Sequence, residues 1–133
     1  MAALHFHYDD FYKVIKHHIA LINRFDESIE KEFSIAFLSV HDRDSDKIAQ
    51  AFVNILRETD IVFNNQHFYI LFLPATNWDG ADLLVKDICE FLDQQRKDTI
   101  ATYPKDGESA MQLIASFEDA IQKDYGIVIS VNN

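Results

Sequence analysis

The sequence predicts an α+β fold built around a mainly antiparallel central sheet, on the strength of three observations. Residues 59–74, TDIVFNNQHFYILFLP, hold two apolar runs rich in β-branched and aromatic residues, separated by Asn64, Asn65 and Gln66. Asn accepts the positive φ of a tight turn and Pro74 cannot donate to a ladder, so this stretch is a hairpin closed at Pro74. Its second run lacks alternation, as expected of a strand covered on both faces. On either side, apolar residues recur at three- and four-residue steps, the period of helices with one buried face. Finally, 133 residues are enough for one domain, and a hydrophobic content of 48%, with eleven Phe, supplies a full core.

Taken in order, residues 8–32 form a long amphipathic helix, with Phe11, Val14, Ile15, Ile19, Ile22, Phe25 and Ile29 in its repeat and Asp9 and Asp10 at its N-terminus. Residues 33–40 (FSIAFLSV) are a strand. Capping residues at 42–45 lead into a helix over 46–58, with Ile48, Phe52, Ile55 and Leu56 on one face. After the hairpin, 79–95 is a third helix and 99–103 a short strand ended by Pro104. Lys105, Asp106 and Gly107 turn the chain; Ser109 caps a fourth helix that Gly126 stops, and 127–131 is a last strand. The expected organisation is a single domain over 1–133, with an N-terminal helix (1–32), a core (33–103) and a C-terminal helix and strand (104–133). From 33 to 103 the order is β-α-β-β-α-β, the ferredoxin-like unit.

Composition excludes several function classes. A formal charge of −10 makes nucleic acid and anionic membrane surfaces poor partners. Three Gly leave little room for a phosphate-cradling loop, and no cofactor is expected. Cys89, the only cysteine, falls in an apolar helical pattern and reads as a buried thiol. The segment MAALHFHYDD shows neither a basic n-region nor an apolar h-region, and no apolar run approaches the ~18 residues of a membrane span, so a soluble cytoplasmic protein is expected.

Several local details coincide with one known family. Leu56-Arg57-Glu58-Thr59-Asp60 leads into the hairpin, Pro74 ends its second strand, and Ala81 opens the next helix. Ile100-Ala101-Thr102-Tyr103-Pro104-Lys105-Asp106-Gly107 is followed by Ala110, Leu113, Ile114 and Ala120. In these pieces the chain resembles the GGDEF domain, the catalytic domain of bacterial diguanylate cyclases, over residues 11–131 and most strongly from Leu56 onward. The hairpin tip departs from it. Where the family carries Gly-Gly-(Asp/Glu)-Glu-Phe, this chain reads Asn64-Asn65-Gln66-His67-Phe68. The family's metal-binding aspartate falls near Ser39, and the segment that reads guanine is missing. Joining two nucleoside triphosphates requires divalent cations held by carboxylates, and neither Ser39 nor Gln66 supplies one. The resemblance therefore implies a degenerate, shortened, non-catalytic domain.

Arg57 and Asp60 occupy the position of the family's inhibitory cyclic di-GMP site. An Arg fork can hold phosphate or guanine, and a carboxylate can accept from guanine N–H groups. The plain alternative is that Arg57 compensates a helix C-terminus and pairs locally with Asp60. His41 and His67 are weak metal candidates near Asp42 and Asp44, without a supporting spacing motif; solvated histidines are the simpler reading. His17 and His18 read as surface or interface residues, and Trp78 as a core residue. Tyr12 and Leu21 are apolar surplus on the first helix, pointing to a protein partner or homodimer there. The expected function is a signalling or interaction module acting through protein contacts, the alternative is a cyclic di-GMP receptor, and an enzyme built on His41 and His67 is a distant third.

Overall fold

A computed structural model describes residues 4–25, 31–40, 45–65, 68–95 and 97–129. Five strands, β1 (Leu4–His7), β2 (Phe33–Leu38), β3 (Ile61–Asn64), β4 (Tyr69–Leu73) and β5 (Ile100–Tyr103), form one sheet in the order β1-β3-β4-β2-β5. β4 runs antiparallel to both β3 and β2, β2 runs antiparallel to β5, and β1 joins β3 in parallel. The helices are α1 (Phe11–Phe25), α2 (Ser45–Ile55), α3 (Trp78–Phe91) and α4 (Ala110–Tyr125).

The central strands explain their own composition. Side chains alternate across a sheet, and here each face meets a helical layer. Phe33, Ile35, Phe37, Ile70 and Phe72 pack with α1 and α4, against Ile15, Ile22, Leu113 and Phe117. Leu38, Leu71 and Leu73 pack with α2 and α3, against Ile48, Phe52, Val85 and Ile88. Both strands therefore need apolar residues at nearly every position, so alternation disappears. Ser34 is the buried polar exception in β2. Its hydroxyl donates to the Thr76 carbonyl at 2.9 Å and pairs with the Thr102 hydroxyl at 2.8 Å.

The N-terminal third departs from the sequence reading. Residues 8–32 are not one helix: Leu4–His7 is a strand, Tyr8–Asp10 a 3₁₀ turn, and the helix is Phe11–Phe25. Ile29 lies outside the described residues. Leu4, Phe6 and Tyr8 alternate with His5 and His7, a period-2 signal of a half-buried strand that the acidic pair Asp9 and Asp10 outweighed in the helix reading. The strand's place is fixed by β3, far along the chain. At the other end, Gly126 caps α4 at φ 69°, as expected, but residues 127–129 form no strand, and Val128 is exposed. The remainder of that expected strand is outside the described residues. α2 ends at Ile55, short of the expected Glu58, and α3 begins at Trp78 behind an Asn77 cap whose side chain accepts from the Gly80 N–H. Trp78 is exposed rather than a core residue.

Candidate functional site

The expected ligand pair Arg57 and Asp60 sits in the loop between α2 and β3, and the two side chains hold one another. Arg57 donates from Nη2 to Asp60 Oδ1 at 2.7 Å and from Nε to Oδ2 at 3.1 Å, while its backbone N–H donates to the same Oδ2 at 2.8 Å. The same Nη2 also reaches Thr76 Oγ1 at 2.6 Å and the Pro74 carbonyl at 3.3 Å. Asp60 is 0% exposed and the Arg57 side chain 46%. This latch ties the end of α2 to the start of β3 and to the turn after β4. It uses both carboxylate oxygens internally. A cavity of about 300 Å³ opens beside it, lined in part by Glu32, Thr76, Asn77 and Gly80.

The end of β2 and the hairpin tip converge. Ser39, Asn65, Tyr8 and Phe68 line one cavity of about 470 Å³ with residues 127–129. The turn closes with the Asn65 N–H donating to the Phe68 carbonyl at 3.1 Å. Tyr8 stands edge-on to Phe68 at 5.4 Å. Burial first, then the Glu118 and Asp9 carboxylates, push its phenol up to about 12, so it stays protonated at neutral pH. No carboxylate lines this cavity among the described residues. His41, His67 and Gln66 lie outside the described residues, and among those described no cluster of three or more His, Cys, Asp or Glu could hold a metal.

The feature that sequence reasoning missed is at the opposite end of the sheet. Between α1 and the β1–β3 end runs a groove of about 530 Å³, floored by Leu4, Phe6, Ile61 and Phe72. One flank of α1, with Lys13, Val14, His17 and Leu21, forms its wall. Leu4 is 57% exposed and Phe6 37%. α1 and α4 occupy the same face, with α4 lying toward β5, which leaves this strip beside β1 open. Leu21 does line the opening, but Tyr12 faces a separate crevice between α1 and the start of α4. The apolar surplus on α1 is therefore divided between two flanks and makes no single stripe. His18, expected at the surface or an interface, is half-buried at the groove's inner edge, edge-on to Phe72 at 4.8 Å and Phe33 at 5.0 Å. Burial, and secondarily His17, lowers its pKa, so the ring is neutral at pH 7.

Among the described residues no helix is long and apolar enough to cross a membrane. Compared with known proteins, the chain matches no family model and no curated protein.

Proposed function

We propose that this chain is a non-catalytic interaction module of ferredoxin-like, GGDEF-derived type, acting through protein contacts at its β1–α1 end. The observation that carries the reading is the exposed strand β1 beside an open apolar groove. A soluble domain gains nothing in stability from leaving Leu4 and Phe6 in water next to a concave apolar strip, and such strips mark interaction sites. The family assignment rests on the local sequence coincidences and on the sheet order. Within it, β5-β2-β4-β3 is the arrangement a β-α-β-β-α-β unit adopts when its two β-α-β halves interleave. The absence of activity follows from side-chain chemistry. Ser39 and the hairpin residues carry no carboxylate to hold the cations that phosphoryl chemistry requires.

The receptor alternative loses support from the latch, because a ligand at Arg57 must compete with Asp60, Thr76 and the Pro74 carbonyl for one guanidinium. The test is direct. Incubated with GTP and magnesium or manganese, the protein yields no cyclic di-GMP by chromatography, and calorimetric titration with cyclic di-GMP gives no binding heat. Product above a buffer control overturns the non-catalytic reading. Binding heat that disappears in Arg57→Ala replaces it with the receptor.

A further inference from the structure

We propose that the outer side of β1 accepts an extended acidic peptide segment of another protein, which joins the sheet as a sixth strand and lays its apolar side chains over the groove beside α1. The inference rests on reading the domain as an interaction module, and it names the partner's chemistry.

Backbone geometry supplies the first half. The Leu4 N–H donates to the Asp60 carbonyl at 3.2 Å, and the parallel register runs from Leu4 opposite Ile61 to His7 opposite Asn64. In a parallel ladder alternate residues bond to a given neighbour, so Leu4 and Phe6 turn their backbone groups to β3, and His5 and His7 turn theirs outward. Among the described residues no strand pairs with that outer side. The His7 carbonyl caps the 3₁₀ turn, so an added strand there meets the His5 N–H and carbonyl and the His7 N–H, and its side chains on the α1 face lie beside Leu4 and Phe6. From Lys13 to Leu21 the helical wall is about 12 Å long at the usual helical rise, the length of about four extended residues and so of β1 itself. Main-chain pairing with alternate side chains in an adjoining pocket is how sheets commonly take up peptides.

Charge decides the occupant. Residues 1–25 hold three Lys or Arg and two Asp, against nine and twenty in the rest of the chain, so this segment is +1 beside −11. Lys13 and His17 stand on the groove wall, and Asp10 is the single acid in its lining. Screening over about 8 Å at physiological salt makes these near charges matter more than the net −10. A second copy pairing β1 with β1 would bring two of these segments together, each carrying Lys13, Lys16 and Arg24 against only Asp9 and Asp10. An acidic strand meets Lys13 directly.

The test selects phage-displayed random peptides of about seven residues on the intact protein, then measures synthetic versions of the enriched sequences by fluorescence anisotropy. Enriched peptides should alternate apolar with Asp or Glu and weaken as salt rises. Two variants localise them. Phe6→Glu spoils the groove floor. His5→Pro removes an outward N–H while leaving the ladder to β3 intact, as edge strands tolerate. With unchanged circular dichroism and melting temperature, each variant should lose about tenfold or more in affinity, the scale of one backbone hydrogen bond or one apolar anchor. No enrichment over the naive library, enrichment of basic sequences, or binding unaffected by both variants overturns the proposal. So does a dimer in sedimentation that reverts to monomer in His5→Pro, which would assign the edge to a second copy. GTP turnover would remove the interaction-module reading without touching the peptide result, so the two failures are separable.

Discussion

The two ends of the sheet are finished differently. At β5 the outward backbone of Thr102 is taken by the chain's own turn: the Thr102 N–H donates to Asp106 Oδ2 at 2.8 Å, and its carbonyl accepts from the Asp106 N–H at 2.8 Å. Gly107, which follows, lies so close to the Leu113 backbone that a Cβ has no space there, and α4 is thereby drawn down over β5. All four residues of β5 are buried. At β1 all four are exposed, no turn returns to the outer side among the described residues, and an apolar groove adjoins. An unpaired edge is a hazard that proteins normally block. One sheet thus blocks one edge and leaves the other open, and the proposed docking at β1 rests on that difference.

The largest expected effect sets the scale for that contrast. Leu71→Ala, in the strand between the two ends, should cost about 2–5 kcal/mol in chemical denaturation, because it empties a fully buried site packed against α2 and α3. Phe6→Ala at the open edge should cost less than half as much. Equal losses would show that β1 is part of the core and no docking edge.

A smaller effect concerns the latch. Asp60 gives β1 its first hydrogen bond through its carbonyl and holds Arg57 through its carboxylate. Asp60→Ala should destabilise the fold by about 2–3 kcal/mol, the worth of hydrogen bonds to a charged group. A change within about 0.5 kcal/mol, typical of a surface position, would free the pair for a ligand role and reopen the receptor reading.

The smallest effect is a pH dependence at the groove. His18 has its pKa lowered by burial, so the folded state binds its proton less readily than the unfolded chain. Its contribution to stability is fully present above the unfolded value near 6.5 and is lost as pH falls through the lower folded value. Denaturation midpoints between pH 7 and 5 should fall less steeply in His18→Gln than in the wild type. Identical slopes would place His18 in water and leave the groove without its inner wall.

How much of this was legible follows from where each signal resides. The hairpin and the helices that flank it were readable because their apolar periods are local: Ile70 through Leu73 announce a strand covered twice, and Leu113, Ile114, Phe117 and Ile121 announce one helical face. Asp106 and Gly107 were read as a turn, although nothing in the sequence shows that the Asp106 carboxylate returns to Thr102. β1 carried only a short alternation, Leu4, Phe6 and Tyr8 against His5 and His7, and its partner lay elsewhere. Leu4-His5-Phe6-His7 earns its conformation from β3, more than fifty residues away, and Asp9 and Asp10 imitate the start of a helix that begins only at Phe11. The groove was not legible, since it exists only once β1 lies beside β3. For Arg57 and Asp60 the spacing was visible but its meaning was not, because the decisive partners, Thr76 and the Pro74 carbonyl, come from the far side of the hairpin.

Residue-resolved amide hydrogen exchange tests the contrast between the two edges most directly. The outward amides of His5 and Thr102 should separate: Thr102 protected by its bond to Asp106 and losing that protection in Asp106→Ala, His5 exchanging near the rate of an unstructured chain. Val62, in the strand behind β1, should remain protected throughout. If His5 is instead protected as strongly as Val62 in the isolated protein, its edge is already occupied and the account of β1 as an open docking strand is wrong.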